Sequence, residues 1–112
     1  MRRTRVLGGL VFGAIFGLGV AIFADETHPS PLFKQYCAKC HGEDGKAQTQ
    51  RGKNLGAQDF TDAEWQADET DAELIQSVTE GKDEMPPFGK KLTPEQIESL
   101  VKNDVRGFAP RK

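Results

Sequence analysis

Two cysteines and a histidine within five consecutive positions limit the possible folds of this sequence more than any other feature in it. They form the cluster Cys37-Ala38-Lys39-Cys40-His41, which contains both cysteines of the 112-residue chain. The two thiols are separated by about one helical turn. Ser30 and Pro31 lie upstream as a predicted N-cap and first helical position. We therefore expect the cluster to lie at the end of a helix.

The spacing Cys-x-x-Cys-His is the attachment pattern of c-type haem. In this pattern each thiol adds to a vinyl group of the porphyrin, and the neighbouring imidazole coordinates the iron from the proximal side. The sequence therefore predicts one covalently attached haem at Cys37 and Cys40, with its iron bound by His41. A domain this short buries little surface, so a large cofactor would also supply stability that its core lacks.

Three other interpretations of the same residues are open. A plain disulfide would suit an oxidising compartment. A thioredoxin-like redox pair calls for a preceding strand in a βαβ unit, and the sequence contains no such pattern. A zinc site needs four ligands, which Cys37, Cys40, His41 and His28 could supply in name. Adjacent Cys40 and His41 are, however, poorly suited to one tetrahedral centre.

The second iron ligand is predicted to be Met85. It is the only methionine besides the initiator, and it lies in the proline-rich loop Met85-Pro86-Pro87. A proline after the methionine favours an extended backbone that can direct the sulfur inward, and a thioether ligand raises the potential of a His-ligated haem. The alternatives are a gap-filling core methionine, or His28 as the ligand, although His28 is expected to be a solvated linker residue.

The first 24 residues form a separate segment. Three arginines within the first five positions precede an uncharged apolar run, residues 6–24. This pattern is typical of an export signal, and the run is also close to the roughly 20 residues that span a bilayer. We expect residues 1–24 to be a signal peptide or an uncleaved membrane anchor, residues 25–29 a linker, and residues 30–112 the folded domain. The domain is then periplasmic or otherwise exported, and possible membrane anchoring rests on residues 6–24.

The exported part of the chain is acidic. With the three N-terminal arginines set aside, 12 of the 15 Lys and Arg remain against all 17 Asp and Glu, a formal charge of −5 for residues 25–112. This argues against nucleic acid as a partner. Six lysines flank the cysteine cluster and the methionine loop and form either a docking surface for an acidic partner or an ordinary solvated face: Lys39, Lys46, Lys53, Lys82, Lys90 and Lys91.

The helix signals predict an all-α fold. Thr70 with Glu73 and Thr93 with Gln96 are capping boxes, and Gly81 is expected to end a helix of about ten residues. A short helix is expected to include Phe60 and Trp65, and long loops are expected at 42–59 and 82–92. The last helix is expected to bury one apolar stripe, made of Ile97, Leu100, Val101, Val105 and Phe108.

Together, the helix leading into Cys37-Ala38-Lys39-Cys40-His41-Gly42, the Met85-Pro86-Pro87-Phe88 loop and the terminal helix ending at Phe108 resemble a bacterial class I c-type cytochrome. The resemblance covers nearly all of residues 30–110. It implies a small fold of three to five helices around one covalently bound haem, with the first and last helices crossing. Members usually have an aromatic residue at that crossing, where this chain has Asn103 and Asp104. Phe33 is therefore expected to meet Leu100, Val101 or Phe108 instead.

The function implied is single-electron transfer between redox protein partners, a donor upstream and an oxidase or reductase downstream. Iron held by both His41 and Met85 has no open position, so we expect a monomeric carrier and not an enzyme. Two alternatives are kept. One is a membrane-anchored haem subunit of a larger oxidoreductase, and the other is a haem sensor or enzyme with an open distal site.

Overall fold

The computed structural model describes residues 27–110, and within that range every regular element is helical. Two of the elements adjoin at Cys37, and the last three follow one another without a break. If adjoining elements are counted together, residues 27–110 contain five helical segments, which agrees with the predicted all-α fold of three to five helices. The elements are α1 (Pro31–Tyr36), α2 (Ala38–His41), α3 (Gln50–Leu55), α4 (Ala63–Asp68), α5 (Asp71–Glu80), α6 (Pro94–Ser99), a π-helical turn (Leu100–Val105) and a 3₁₀ turn (Arg106–Phe108).

The predicted caps are present. The Ser30 hydroxyl accepts a hydrogen bond from the backbone N–H of Phe33, which starts α1. Both capping boxes form, Thr70 with Glu73 and Thr93 with Gln96. Gly81 ends the ten-residue helix α5 with φ near 82°, a conformation that glycine adopts without steric cost. These local signals placed the helix ends correctly because each involves groups within four residues of one another.

The prediction of a continuous loop over 42–59 was wrong, since α3 lies inside it. The Thr49 hydroxyl accepts a hydrogen bond from the N–H of Gly52 and starts the helix, and Gly56 ends it with φ near 68°. The helix sequence is polar and has no apolar stripe, so its periodicity gave no signal. Its position depends on a tertiary contact, the close approach of Gly52 to the carbonyl of Cys40.

The crossing of α1 with the last helix includes a buried carboxylate, that of Asp104, beside an aromatic contact. The side chain of Asp104 is only 2% exposed. Its two oxygens accept hydrogen bonds from the N–H and the hydroxyl of Ser30, at 2.7 and 2.8 Å. Phe33 meets Phe108, with ring centroids 5.2 Å apart, as expected. The first and last helices therefore cross through a polar contact beside an aromatic one.

The hydrophobic core is formed mainly by α1, α5 and the C-terminal helical segment, together with residues of the loops between them. The predicted stripe of the last helix is buried at its first four positions, while Phe108 is half-buried. Trp65 and Met85 pack against the edge of the core. Trp65 lies in α4 as predicted, but the prediction that Phe60 shares this helix was wrong, because Phe60 lies in the turn before Asp62 caps it. The buried core residues are Phe33, Phe60, Leu74, Val78, Phe88, Leu92, Ile97, Leu100, Val101 and Val105.

A polar network fastens the connection between α4 and α5 to the C-terminal helix. The guanidinium of Arg106 donates to the carboxylate of Asp71, to both the backbone and side-chain oxygens of Gln66, and to the carbonyl of Glu69. A planar guanidinium with five donors suits such a set of acceptors. This network holds the helices that surround Phe60 and Trp65 in place.

No helix between residues 27 and 110 is long and apolar enough to cross a membrane. The predicted signal or anchor segment, residues 1–24, lies outside the described residues.

Candidate haem-binding site

The cysteine cluster forms one tight helical turn. The N–H of His41 donates to the carbonyl of Cys37 at 3.0 Å, and the N–H of Gly42 donates to that of Ala38 at 2.9 Å. Both cysteines are half-buried, whereas His41 is only 8% exposed. The turn therefore presents two thiols and, directly after them, a buried imidazole.

The end of this turn is locked by the segment that follows it. The Thr49 hydroxyl donates to the carbonyl of Cys40, and the N–H of Ala47 donates to that of His41, each at 2.8 Å. A Cβ atom on Gly52 would lie 2.1 Å from the Cys40 carbonyl oxygen, so only glycine fits there. Carbonyls left open at a helix end are thus satisfied, and the cluster cannot unwind freely.

The imidazole of His41 is held in the form that binds a metal. Its Nδ1 lies 2.9 Å from the carbonyl oxygen of Gln58. A carbonyl oxygen can only accept a hydrogen bond, so the proton between the two atoms belongs to Nδ1. Burial lowers the pKa of His41, and the hydrogen bond to Gln58 opposes that shift in part. The ring is therefore neutral near pH 7, and its Nε2 lone pair is available to an iron atom.

An aromatic ring lies against the face of this imidazole. The rings of Phe60 and His41 are stacked, with centroids 4.2 Å apart and planes 16° apart. Neither Gln58 nor Phe60 was predicted from the sequence to have a role at the site. Gln58 acts through its backbone carbonyl, which every residue has, and Phe60 looked like any other apolar core residue. Only the fold brings these two residues to His41.

The state of the two thiols bears on the competing interpretations. Cys37 and Cys40 are both free cysteines. Burial, followed by the negative charges of Asp104 and Cys40, raises the pKa of the Cys37 thiol to about 12, so its sulfur stays protonated. Among residues 27–110, no three His, Cys, Asp or Glu side chains are grouped as a metal site, and the four residues of the zinc alternative form no such group.

The loop of Met85 is fixed at both ends. Lys82 and Met85 exchange two backbone hydrogen bonds, at 3.1 and 2.9 Å. Beyond the prolines, the N–H of Phe88 donates to the carbonyl of Val78. Phe88 also meets Tyr36, the residue before Cys37, with ring centroids 6.1 Å apart. The fold thus brings the methionine loop against the helix that carries the cysteine cluster, and Met85 is half-buried at the core.

His28, the rival ligand, is occupied elsewhere. It is exposed, as expected, but it is not merely solvated. Its Nε2 lies 3.0 Å from the carbonyl oxygen of Asp104, and its ring meets Phe108 at a centroid distance of 4.3 Å. His28 therefore belongs to the contact between the start of the domain and its last helix.

The residues that fit a covalent haem, two thiols beside a neutral imidazole with a free Nε2, agree with what is known of similar proteins. Residues 24–102 match the family described as Cytochrome C oxidase, cbb3-type, subunit III. Cytochrome c6 of a Nostoc species is 34% identical over 94 residues, which cover 75% of this chain and 81% of that protein.

The solved structure of the KustC0563 c-type cytochrome is 49% identical, with a TM-score of 0.66, and the match covers 70% of this chain and 94% of that one. The cbb3-type cytochrome c oxidase subunit FixP of Azorhizobium caulinodans is 36% identical over 71 residues, 62% of this chain. That match spans only 23% of FixP. The chain therefore belongs to the cbb3-type subunit III family and is a monohaem class I c-type cytochrome that carries covalent haem c and takes part in electron transfer.

Proposed function

We propose that Cys37 and Cys40 hold the haem through thioether bonds and that His41 and Met85 are the two iron ligands. The observation that carries this proposal is the state of His41. Its Nδ1 is committed to the Gln58 carbonyl, which leaves Nε2 as the metal donor, directly after two half-buried thiols. The methionine loop that packs against the attachment helix supports Met85 as the second ligand.

A haem iron held by both His41 and Met85 would have no open position, so the site would be suited to carrying electrons and not to binding a substrate. Haem iron supplies a one-electron couple between its ferric and ferrous states. The chain's own residues keep this couple reversible. Gln58 orients the proximal imidazole, and the ordered loop around Met85 holds the thioether in place. We therefore propose a carrier without catalytic activity.

The first experiment is a visible absorption spectrum of protein matured with covalent haem, oxidised and then reduced, with acid extraction to test attachment. Haem that survives extraction supports Cys37 and Cys40 as the anchors. A weak far-red band in the oxidised protein supports a bond between iron and the Met85 sulfur. Extractable haem would contradict the covalent attachment.

Met85→Ala is the decisive variant. We expect it to lose the far-red band, to bind carbon monoxide readily when reduced, and to have a lower reduction potential, because a thioether ligand favours the ferrous state. Glu84→Ala is the matched control, since Glu84 is an exposed neighbour in the same loop. A far-red band that persists in Met85→Ala would show that Met85 is not the ligand. A wild-type protein that holds haem, lacks the band and binds carbon monoxide readily when reduced would bring forward a sensor or an enzyme with an open distal site.

We propose further that residues 1–24 direct the protein out of the cytoplasm. Outside it, the protein would exchange electrons as a monomer with a donor and an oxidase or reductase. The match to FixP favours a second candidate, a haem subunit tethered to a membrane oxidoreductase. Cell fractionation separates the two. Protein that stays with membranes after a salt wash and keeps its first 24 residues supports the tethered subunit, and periplasmic protein that has lost them supports the free carrier.

A further inference from the structure

His41 is held by one short stretch of chain, residues 58–60, in two different ways. The carbonyl of Gln58 accepts a hydrogen bond from Nδ1 in the plane of the imidazole, at 2.9 Å. The ring of Phe60 covers a face of the same imidazole, with centroids 4.2 Å apart and planes within 16°. One contact therefore fixes a nitrogen atom, and the other fixes the plane of the ring.

Phe60 is itself firmly placed. Its N–H donates to the carbonyl of Gly45 at 2.8 Å, which ties it to the turn that follows the cysteine cluster. Its carbonyl accepts a hydrogen bond, also of 2.8 Å, from the buried side chain of Gln66. The ring is 7% exposed and is backed by a second stacked ring, that of Trp65, at 5.4 Å. A ring anchored in this way resists displacement when the imidazole moves.

The hydrogen bond to Gln58 does not fix the imidazole plane by itself. A single N–H···O contact tolerates rotation of the ring about the line between donor and acceptor, because hydrogen-bond energy varies slowly with that rotation. A parallel aromatic neighbour does not tolerate it, since tilting the imidazole would drive its edge into the Phe60 ring. Groups that orient a metal's ligands also tune the metal.

We propose that Phe60 is a positioning residue that fixes the plane of the axial imidazole of His41. This inference rests on the proposed function, in which His41 binds the iron. The loss of the ring would leave the imidazole with a range of orientations instead of one. The electronic signature of the iron depends on those orientations, so it would change even where the fold survives.

The test compares Phe60→Leu with Phe33→Leu. Phe33 belongs to the same aromatic cluster, at 6.3 Å from Phe60, and is fully buried. It makes no ring contact with His41 among the described residues, so the same substitution there removes packing alone. Both variants are expected to melt at lower temperature than the wild type. The distinguishing measurement is electron paramagnetic resonance of the frozen oxidised protein, in which the low-field line reports the orientation of the axial ligands.

We expect Phe60→Leu to shift or broaden the low-field line and Phe33→Leu to leave it unchanged. Phe60→Tyr, which keeps an aromatic plane against His41, should restore the wild-type line even if its buried hydroxyl lowers the melting temperature. An unchanged line in Phe60→Leu, an equal change in Phe33→Leu, or a Phe60→Tyr spectrum like that of Phe60→Leu would each overturn the proposal. A wild-type protein without the low-spin signal of a His-ligated haem would instead reject the proposed function.

Discussion

Gly52 shows how one residue links the helix α3 to the cysteine cluster. Replacing a glycine by alanine inside a helix ordinarily stabilises it, by up to about 1 kcal/mol. Here the added Cβ would meet the Cys40 carbonyl oxygen at 2.1 Å. That oxygen is backbone at the end of the haem-attachment turn, so neither partner can move aside without disturbing the site.

We therefore expect Gly52→Ala to lower the free energy of unfolding of the haem-loaded protein by about 1–3 kcal/mol, the usual effect of overpacking. Chemical denaturation followed by haem absorbance measures it. Lys53→Ala is the control, because Lys53 is the next residue of the same helix and is exposed. This substitution should change the free energy of unfolding by no more than about 0.5 kcal/mol. A stabilised Gly52→Ala variant would mean that α3 does not rest on Cys40.

At the scale of elements, the crossing of the first and last helices depends on a buried acid. Asp104 lies at helical spacing from Val101 and Phe108, so its side chain falls on the apolar stripe and turns inward. Its carboxylate accepts two hydrogen bonds from Ser30, at the N-terminus of α1. Negative charge at a helix N-terminus is favourable. The aromatic contact usual at this crossing is thus supplied next to the carboxylate, by Phe33 and Phe108.

Asp104→Ala should destabilise the protein by about 1–3 kcal/mol, because the N–H and hydroxyl of the half-buried Ser30 would lose the carboxylate that accepts their hydrogen bonds. The measurement is the midpoint of chemical denaturation at constant slope. Asn103→Ala serves as the comparison, since Asn103 is exposed and its side-chain amide donates a hydrogen bond to the hydroxyl of Ser99 in its own helix. Equal effects of the two substitutions would show that the carboxylate does not hold the crossing.

Across the whole molecule, charge is distributed unevenly along the chain. Residues 31–56, which include the cysteine cluster, carry five Lys and Arg against two Asp and Glu. Residues 57–84 carry ten Asp and Glu against a single lysine. The chain from 25 to 112 has a net charge of −5, so the sign of its long-range field and the sign near the attachment motif differ.

This difference predicts how salt affects electron exchange. If the net charge governs encounter, reduction by the cationic hexaammineruthenium(II) slows as salt is added and oxidation by anionic ferricyanide speeds up, because screening weakens attraction and repulsion alike. Stopped-flow kinetics at several ionic strengths measures both rates, with a neutral hydroquinone as the control. If salt instead sped up the reduction and slowed the oxidation, the lysines near the cysteine cluster and methionine loop would govern the encounter.

The sequence by itself determined the cofactor pattern, the helix caps and the all-α class. Each of these depends on residues close together in the chain. The attachment motif lies within residues 37–41, and Thr70 and Glu73 form a capping box at the start of one helix. Local rules suffice where the partners are local. The same rules missed α3, whose polar sequence carries no periodic stripe.

The tertiary structure alone decided how the site is held. The carbonyl that accepts the hydrogen bond from His41 lies 17 residues away in the chain, and the hydrogen bonds between Ser30 and Asp104 join residues 74 apart. A carbonyl has no side-chain signature, and Phe60 differs from the other buried aromatics only by lying on His41. Which group meets the imidazole depends on how distant segments pack, because packing, unlike a cap or an attachment motif, is a property of the whole core.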